Sequence, residues 1–284
     1  MRRRRSAAGL DLSTMSTSEQ ITFPPGTFGP DPLRLEVLAR GEAWFALNKP
    51  GGILLAQDAL HAEDAVSVVG AIHAAASAGK PQLAALGIAG CSRIHHLDAE
   101  VSGVAVLATS EAAAARLRNE QGSGAWEFVF ELVAEADDLP DELTCELPLT
   151  RHMSQPRMIV SHRQGKQCAT RFRRLRQLGK HAVWEARTPQ NRLHQVRVHA
   201  AERGLRIVGE HLYARVRPVY LSSLKRHYRP GREEERPLHA GVALHLGEVR
   251  ITAGSAAAPL ICAPKPRSLL TLIKRLEESR TPSR

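Results

Sequence analysis

The chain has 284 residues, 43% of them apolar and only 4% aromatic, with a net charge of +10 and a pI of about 10.0. This is enough apolar content for one large domain or two small ones with an aliphatic core, and the charge favours polyanionic partners through phosphate attraction. No apolar run approaches the roughly 20 residues of a membrane span. Cys91, Cys145, Cys168 and Cys262 lie far apart, so no zinc knuckle or redox pair is implied and a reducing cytoplasm fits.

In chain order, residues 1–33 are rich in Ser, Thr, Gly and Pro and read as a disordered or loosely ordered tail. Its start, Met1-Arg2-Arg3-Arg4-Arg5, is basic but lacks a signal peptide's apolar segment. It reads as a basic arm, a weak transit-like leader, or the product of a start placed ahead of Met15. Residues 34–284 form the expected domain. Strand-favouring residues over 35–47, among them Val37, Trp44 and Phe45, run into the turn signal Asn48-Lys49-Pro50-Gly51-Gly52. A helix is expected over 62–78, where Ala65, Val69 and Ile72 fall at helical spacing. Ser110 is a good N-cap for a short helix over 111–119. Strands are expected over 126–135, 170–175, 182–186 and 238–246, a polar insertion over 214–237, and an amphipathic helix over 266–278. Successive strands without regularly alternating helices predict an α+β fold with a mixed, mainly antiparallel central sheet and flanking helices.

The most informative stretch is 93–108, Arg-Ile-His-His-Leu-Asp-Ala-Glu-Val-Ser-Gly-Val-Ala-Val-Leu-Ala. The apolar run reads as a buried strand entered through the Ser-Gly step, which puts Asp98 on a loop at a strand mouth and predicts a cleft there. A second constellation occupies 191–199, Asn-Arg-Leu-His-Gln-Val-Arg-Val-His. Read as a strand, its alternation puts Gln195 and Arg197 on one face and Val196 and Val198 on the other. Such a concentration of Arg, His and Gln suits an anion-binding cleft, although His194 and His199 also fit as hydrogen-bonded buried histidines.

The first stretch resembles the His-Arg-Leu-Asp-x-x-Thr-Ser-Gly motif of RluA-type RNA pseudouridine synthases. The second is similar to that family's Gly-Arg-Thr-His-Gln-Ile-Arg-Val-His, followed here by Ile207-Val208-Gly209-Glu210 and then Tyr213. Asn48-Lys49-Pro50-Gly51-Gly52, Arg157-Met158-Ile159-Val160, Gly165-Lys166-Gln167-Cys168-Ala169-Thr170, Leu238-His239-Ala240 and Ala263-Pro264-Lys265-Pro266 match further segments in family order. The resemblance therefore covers almost the whole domain. It implies the pseudouridine synthase fold, rRNA or tRNA as partner and no cofactor. Asp98 is implied as catalytic carboxylate and Arg197 as its ionic partner. His96, Arg192, His194 and Gln195 become substrate-binding residues.

Two departures stand out: His96 replaces the motif's Arg, and Val101 its Thr. Aligning Leu132-Val133 with the family's Lys-x-Tyr-x-Ala-Leu-Val puts Glu127 at the Lys and Val129 at the Tyr, which in the family packs on the target base. Without a bulge, alternation sends Trp126, Phe128, Phe130 and Leu132 to the face opposite Val129. A base pocket at Val129 would then lack its ring. That motivates a rival reading, a weakened or inactive RNA-binding or RNA-folding protein on the same fold. A third reading, His95, His96 and Asp98 as metal ligands, is disfavoured because adjacent side chains on an extended segment point apart. Within the insertion, Lys225, Arg226 and Arg229 are expected to contact RNA, unless they pair with Glu233, Glu234 and Glu235. The protein is read as a cytoplasmic monomer with no membrane partner.

Overall fold

The computed structural model describes residues 19–136, 138–225, 228–229, 231, 233–251 and 259–279. A first hairpin arm is built by β1 (Gln20–Phe23), β2 (Leu33–Gly41) and β3 (Trp44–Lys49), followed by helices α1 (Val68–Ser77) and α2 (Pro81–Ala85). Next come β4 (Ser92–Arg93), β5 (Ser102–Ala108), α3 (Glu111–Gly122) and β6 (Trp126–Glu135). The middle of the chain supplies β7 (Glu142–Cys145), β8 (Leu149–Arg151), β9 (Met158–Val160), β10 (Thr170–Leu178) and β11 (His181–Thr188). It closes with α4 (Gln195–Glu202), β12 (Arg206–Ile207), β13 (Leu244–Ile251), β14 (Leu260–Cys262) and α5 (Arg267–Glu278).

Twelve strands form one sheet with main order β1-β2-β3-β5-β13-β6-β11-β10-β7, while β8 and β9 form a separate two-stranded hairpin. The β13–β5 pairing is parallel and the other pairings are antiparallel. This is the mixed, mainly antiparallel α+β sheet that the sequence predicts. The fully buried β5 lies between β3 and β13, so the motif strand is central, and Asp98 sits on the loop that feeds it. Ser110 caps α3 by accepting from the Ala113 amide at 3.2 Å. Helix α5 lays Leu269, Leu272, Ile273 and Leu276 into the core, each burial contributing about 1.5–3 kcal/mol before entropy.

Several expectations are corrected. The tail does not reach residue 33: residues 20–23 form a strand paired with β2, and Ile21 and Phe23 are buried. Helix α1 starts at Val68 rather than residue 62, because Ser67 caps it and bridges to Leu54. Strand β13 starts at Leu244 rather than residue 238. The alternating run over 191–199 is a turn followed by α4, not a strand. On a helix, residues two apart point about 200° apart, so Gln195 and Arg197 do not share a face.

Strand β6 alternates as expected. Phe128 meets the His95 ring at 5.1 Å between centroids, which sets this side of the strand towards the Asp98 loop. Glu127 lies on the other side, paired with Arg187 at 3.3 Å and Arg250 at 3.4 Å.

Gly103 explains the Ser-Gly step. Its φ is +129°, and a Cβ there would lie 2.1 Å from the Leu246 carbonyl oxygen of the parallel neighbour β13. Gly103→Ala is expected to cost about 3 kcal/mol or more, through strain and separation of β5 from β13. Urea denaturation measures this; a loss below about 1 kcal/mol would mean that the strands part without penalty.

Candidate active site

Asp98 is 8% exposed, and its two oxygens have different partners. The His194 amide donates to Oδ1 at 3.2 Å, and Arg197 Nη1 lies 3.5 Å from Oδ2. Burial alone would raise the carboxyl's pKa. The charges that the His194 ring, Arg197 and the His96 ring carry when protonated, together with the His194 amide, outweigh it, so the pKa is held below its ordinary value.

Arg197 is fully buried and serves three carboxylates. Its Nε and Nη2 grip Glu210 in a bidentate pair at 2.6 and 3.2 Å, and its Nη1 donates to Glu100 Oε2 at 2.9 Å. Glu210 is buried as well and accepts from the amides of Leu212 and Tyr213 at 2.8 and 3.3 Å. Glu210 thus fixes the guanidinium, and Glu100 competes with Asp98 for the remaining amine.

The loop carrying Asp98 is held from beneath by Lys49, whose Nζ donates to the carbonyls of Pro50, Ile53 and Ala99 at 2.9, 2.8 and 3.2 Å. Burial pushes the Lys49 pKa down to about 7, with Asp98 and Glu100 opposing the shift. The turn and the loop approach so closely that a Cβ on Gly51 would meet the Glu100 carbonyl oxygen at 2.7 Å. His95 is committed to structure. Its Nδ1 lies 2.9 Å from the His96 carbonyl, and its Nε2 accepts from the Val106 amide at 3.1 Å. Those bonds leave it no lone pair for a metal, and among the described residues no cluster of three or more His, Cys, Asp and Glu is arranged to hold one.

Asp98 faces a small pocket also lined by His96, Phe130, Asn191, Arg192 and Gln195. His96 Nδ1 is buried there without a partner among the described residues, and burial pushes its pKa down to about 4, so the ring is neutral at pH 7. The Arg192 guanidinium donates to the Gln167 carbonyl at 3.3 and 3.0 Å, which ties the pocket rim to the chain leaving β9. Gln195 uses both ends of its amide within the protein: Nε2 donates to Thr188 Oγ1 at 2.8 Å, and Oε1 accepts from the Arg192 amide at 3.1 Å. Asn191 was not anticipated; its Nδ2 holds the His96 carbonyl at 2.6 Å, where the family motif has a Gly.

The structure corrects the placement of the aromatic position. Val129 is not among the residues around Asp98 but faces a depression on the other side of the sheet, with Glu131, Glu185 and Lys265. Phe130 lines the Asp98 pocket in its stead. The expected face of β6 is therefore exchanged: the ring on the Asp98 side is that of Phe130, not a position at Val129. Glu127, engaged with Arg187 and Arg250, does not face Asp98. Lys225 and Arg229 are exposed on the insertion and do not line the pocket, while Arg226 lies outside the described residues. Glu235 accepts from the Ser222 amide at 2.8 Å, so the insertion's acidic end folds back onto an earlier part of the insertion.

A central mixed sheet carries a buried Asp on the loop before its middle strand, with an Arg clamp beside that Asp. The sequence profile described as RNA pseudouridylate synthase matches residues 43–202. A ribosomal large subunit pseudouridine synthase D from Xylella fastidiosa is 30% identical over 257 residues, covering 88% of this chain and 71% of that protein. An uncharacterized RNA pseudouridine synthase from Synechocystis is 27% identical over 185 residues; the match covers 63% of this chain and 54% of that protein, so the chain spans about half of that relative. The solved human RNA pseudouridylate synthase domain containing 4 superposes with a TM-score of 0.61 at 18% identity, covering 84% of this chain and 92% of that one, a likeness of fold. The chain belongs to the RNA pseudouridylate synthase family, of the RluA type.

Glu100→Gln removes the rival acceptor and a neighbouring negative charge, so the Asp98 carboxyl is expected to titrate at a still lower pH. Carboxyl NMR titration reads this; an unchanged or raised value would mean that Glu100 does not share Arg197 with Asp98.

Proposed function

We propose that the protein converts uridine to pseudouridine in RNA, with Asp98 as the reacting carboxylate. The observation that carries this reading is the buried, ionised Asp98 clamped between the His194 amide and Arg197, facing a pocket with an aromatic wall. In the reaction the N1–C1′ glycosidic bond breaks, the uracil turns, C5 bonds to C1′, and the C5 proton is lost while N1 gains one. Atoms balance without water or cofactor, so one carboxylate suffices where hydrolysis would call for a second to activate water. Burial keeps Asp98 from bulk water. Its lowered pKa keeps it charged at neutral pH, as either nucleophilic or basic participation needs. A base inside a helix cannot reach it, so the uridine is flipped out of its stack, and Phe130 offers its ring to the flipped base.

The rival reading, a binder without activity, was motivated by Val129 and Glu127. Both sit away from the pocket, so that motive is gone.

RNA is gripped by charge. The β8–β9 hairpin and the chain after it carry Arg151, Arg157, Arg163 and Lys166 with no acidic residue between 149 and 168. Arg151, Arg163 and Lys166 are exposed, and the hairpin adjoins the site through Arg192 and Tyr213. Lys225 and Arg229 on the insertion would extend the phosphate contacts. Five of the similar curated proteins are named for the large ribosomal subunit, which favours its RNA as substrate over tRNA. A cytoplasmic monomer is part of the same proposal; no helix among the described residues is long and apolar enough to cross a membrane.

Two variants separate chemistry from grip. Asp98→Asn is expected to abolish pseudouridine formation on an rRNA transcript while RNA affinity stays within about twofold. Replacing Arg151, Arg157, Arg163 and Lys166 together by Ser should weaken binding and flatten the slope of log affinity against log salt by up to about 3. Near-normal turnover by Asp98→Asn would overturn the assignment of the carboxylate, and an unchanged slope would remove the hairpin from the interface.

A further inference from the structure

We propose that Tyr213 is a positioning residue that couples the basic hairpin to the Asp98 carboxylate through His194. The inference rests on the reading of Asp98 given above and deepens it.

Tyr213 follows Glu210 in a loop and is held on several sides. Its ring lies under the Arg197 guanidinium at 5.5 Å and meets the His194 ring edge-on at 5.7 Å and 84°. It also packs against a small cluster of Leu149, Cys168 and Val198, together with Met158 and Val160 of β9. The hydroxyl has two partners: the Met158 amide at 2.9 Å and His194 Nδ1 at 2.7 Å.

The direction of the first of these bonds follows from chemistry. An amide N–H only donates, so the Tyr213 oxygen accepts from Met158. Towards His194 the hydroxyl either donates its proton to Nδ1 or accepts a second bond from Nδ1–H, and in both cases the bond ties the ring to Tyr213. Burial lowers the His194 pKa, with the Arg197 charge adding to it against Asp98, Glu100 and Glu210.

His194 is one of three residues other than glycine with positive φ among the described residues, at +53°. This left-handed conformation is uncommon for a residue with a side chain and persists only where surroundings hold it. Here it does two things. It turns the His194 amide onto Asp98 Oδ1, and it begins α4, which carries Arg197 to Asp98 Oδ2. Both groups that hold the carboxylate therefore depend on one strained residue, and Tyr213 supplies the hydrogen bond to its ring. Met158 belongs to the hairpin that, with the chain after it, bears Arg151, Arg157, Arg163 and Lys166. RNA seated on the hairpin thus acts on Asp98 through Met158, Tyr213 and His194, a continuous line of three hydrogen bonds.

Tyr213→Phe tests this, because it keeps the ring contacts and deletes only the hydroxyl. Asp98 also senses Arg197, Lys49, His96 and Glu100, none of which bonds the Tyr213 hydroxyl. On an rRNA transcript, kcat should fall about tenfold or more with KM within twofold, as the His194 amide and Arg197 lose their fixed aim at Asp98. The acid limb of kcat should move to higher pH, because Asp98 loses support for its ionised form. A purely structural Tyr213 would lower the melting temperature without moving that limb. His194→Asn should retain more activity than His194→Ala, since Asn tolerates the left-handed turn and its side-chain oxygen can accept from Tyr213. Unchanged kcat and acid limb in Tyr213→Phe, or a change in KM alone, would overturn the proposal. If the unmodified protein forms no pseudouridine at all, the reading of Asp98 has failed. The coupling is then judged by NMR titration of the Asp98 carboxyl: a higher pKa in Tyr213→Phe supports it and an identical pKa refutes it.

Discussion

The buried guanidinium of Arg197 is the interaction on which the rest of the site depends. It is a charge with no access to water, and such a charge is tolerated only when paired and hydrogen-bonded throughout. Glu210 takes two of its nitrogens, so its plane is set before Asp98 is considered. The remaining nitrogen is shared between Glu100 and Asp98, with Glu100 nearer. Asp98 is therefore held ionised without being locked into a tight bidentate pair. A reacting carboxylate needs that combination: charged at neutral pH, yet free to leave its partner when a ribose carbon or a base approaches.

The second cation below the loop works differently. Lys49 satisfies carbonyls rather than carboxylates, and it joins the Asn-Lys-Pro-Gly-Gly turn to the backbone just after Asp98. The amides of Gly52 and Ile53 also donate to the Ala99 carbonyl, at 2.7 and 3.1 Å, so the turn grips the loop at one oxygen with three donors. On the strand side, Ser102 Oγ is bonded to His245 Nδ1 at 2.9 Å, and His245 donates onward to the Ala263 carbonyl. Asp98 thus sits on a loop whose two ends are fixed to different strands, which limits its freedom to the side chain.

Much of this was readable from the sequence, for stateable reasons. The Asp98 loop and β5 were legible because a continuous apolar run after Ser-Gly has few alternatives to a buried strand. The alternation of β6 was also legible, since a period of two fixes which side chains share a face. Which face looks at Asp98 was not. The alignment on Leu132-Val133 put Val129 in the pocket, and a shift of one residue in a strand exchanges the two faces, so Phe130 lines it instead. The run over 191–199 was read as a strand because Val196 and Val198 alternate with polar residues. An eight-residue helix with two β-branched residues carries too little periodicity to correct that, and the decisive constraint is tertiary: Arg197 must reach Glu210. Asn191 gave no signal, because its partner is a backbone carbonyl nearly a hundred residues away. The strand at 20–23 was hidden by its surroundings of Pro, Gly and Thr, although Ile21 and Phe23 are at strand spacing.

The central claim is that this chain places pseudouridine in cellular RNA through the site at Asp98. The most direct measurement is a transcriptome-wide map of pseudouridine in cells with the gene, without it, and with it restored. The account predicts that one or a few uridines, foremost in large-subunit rRNA, lose the modification on deletion and regain it on restoration. Identical maps in all three would contradict it.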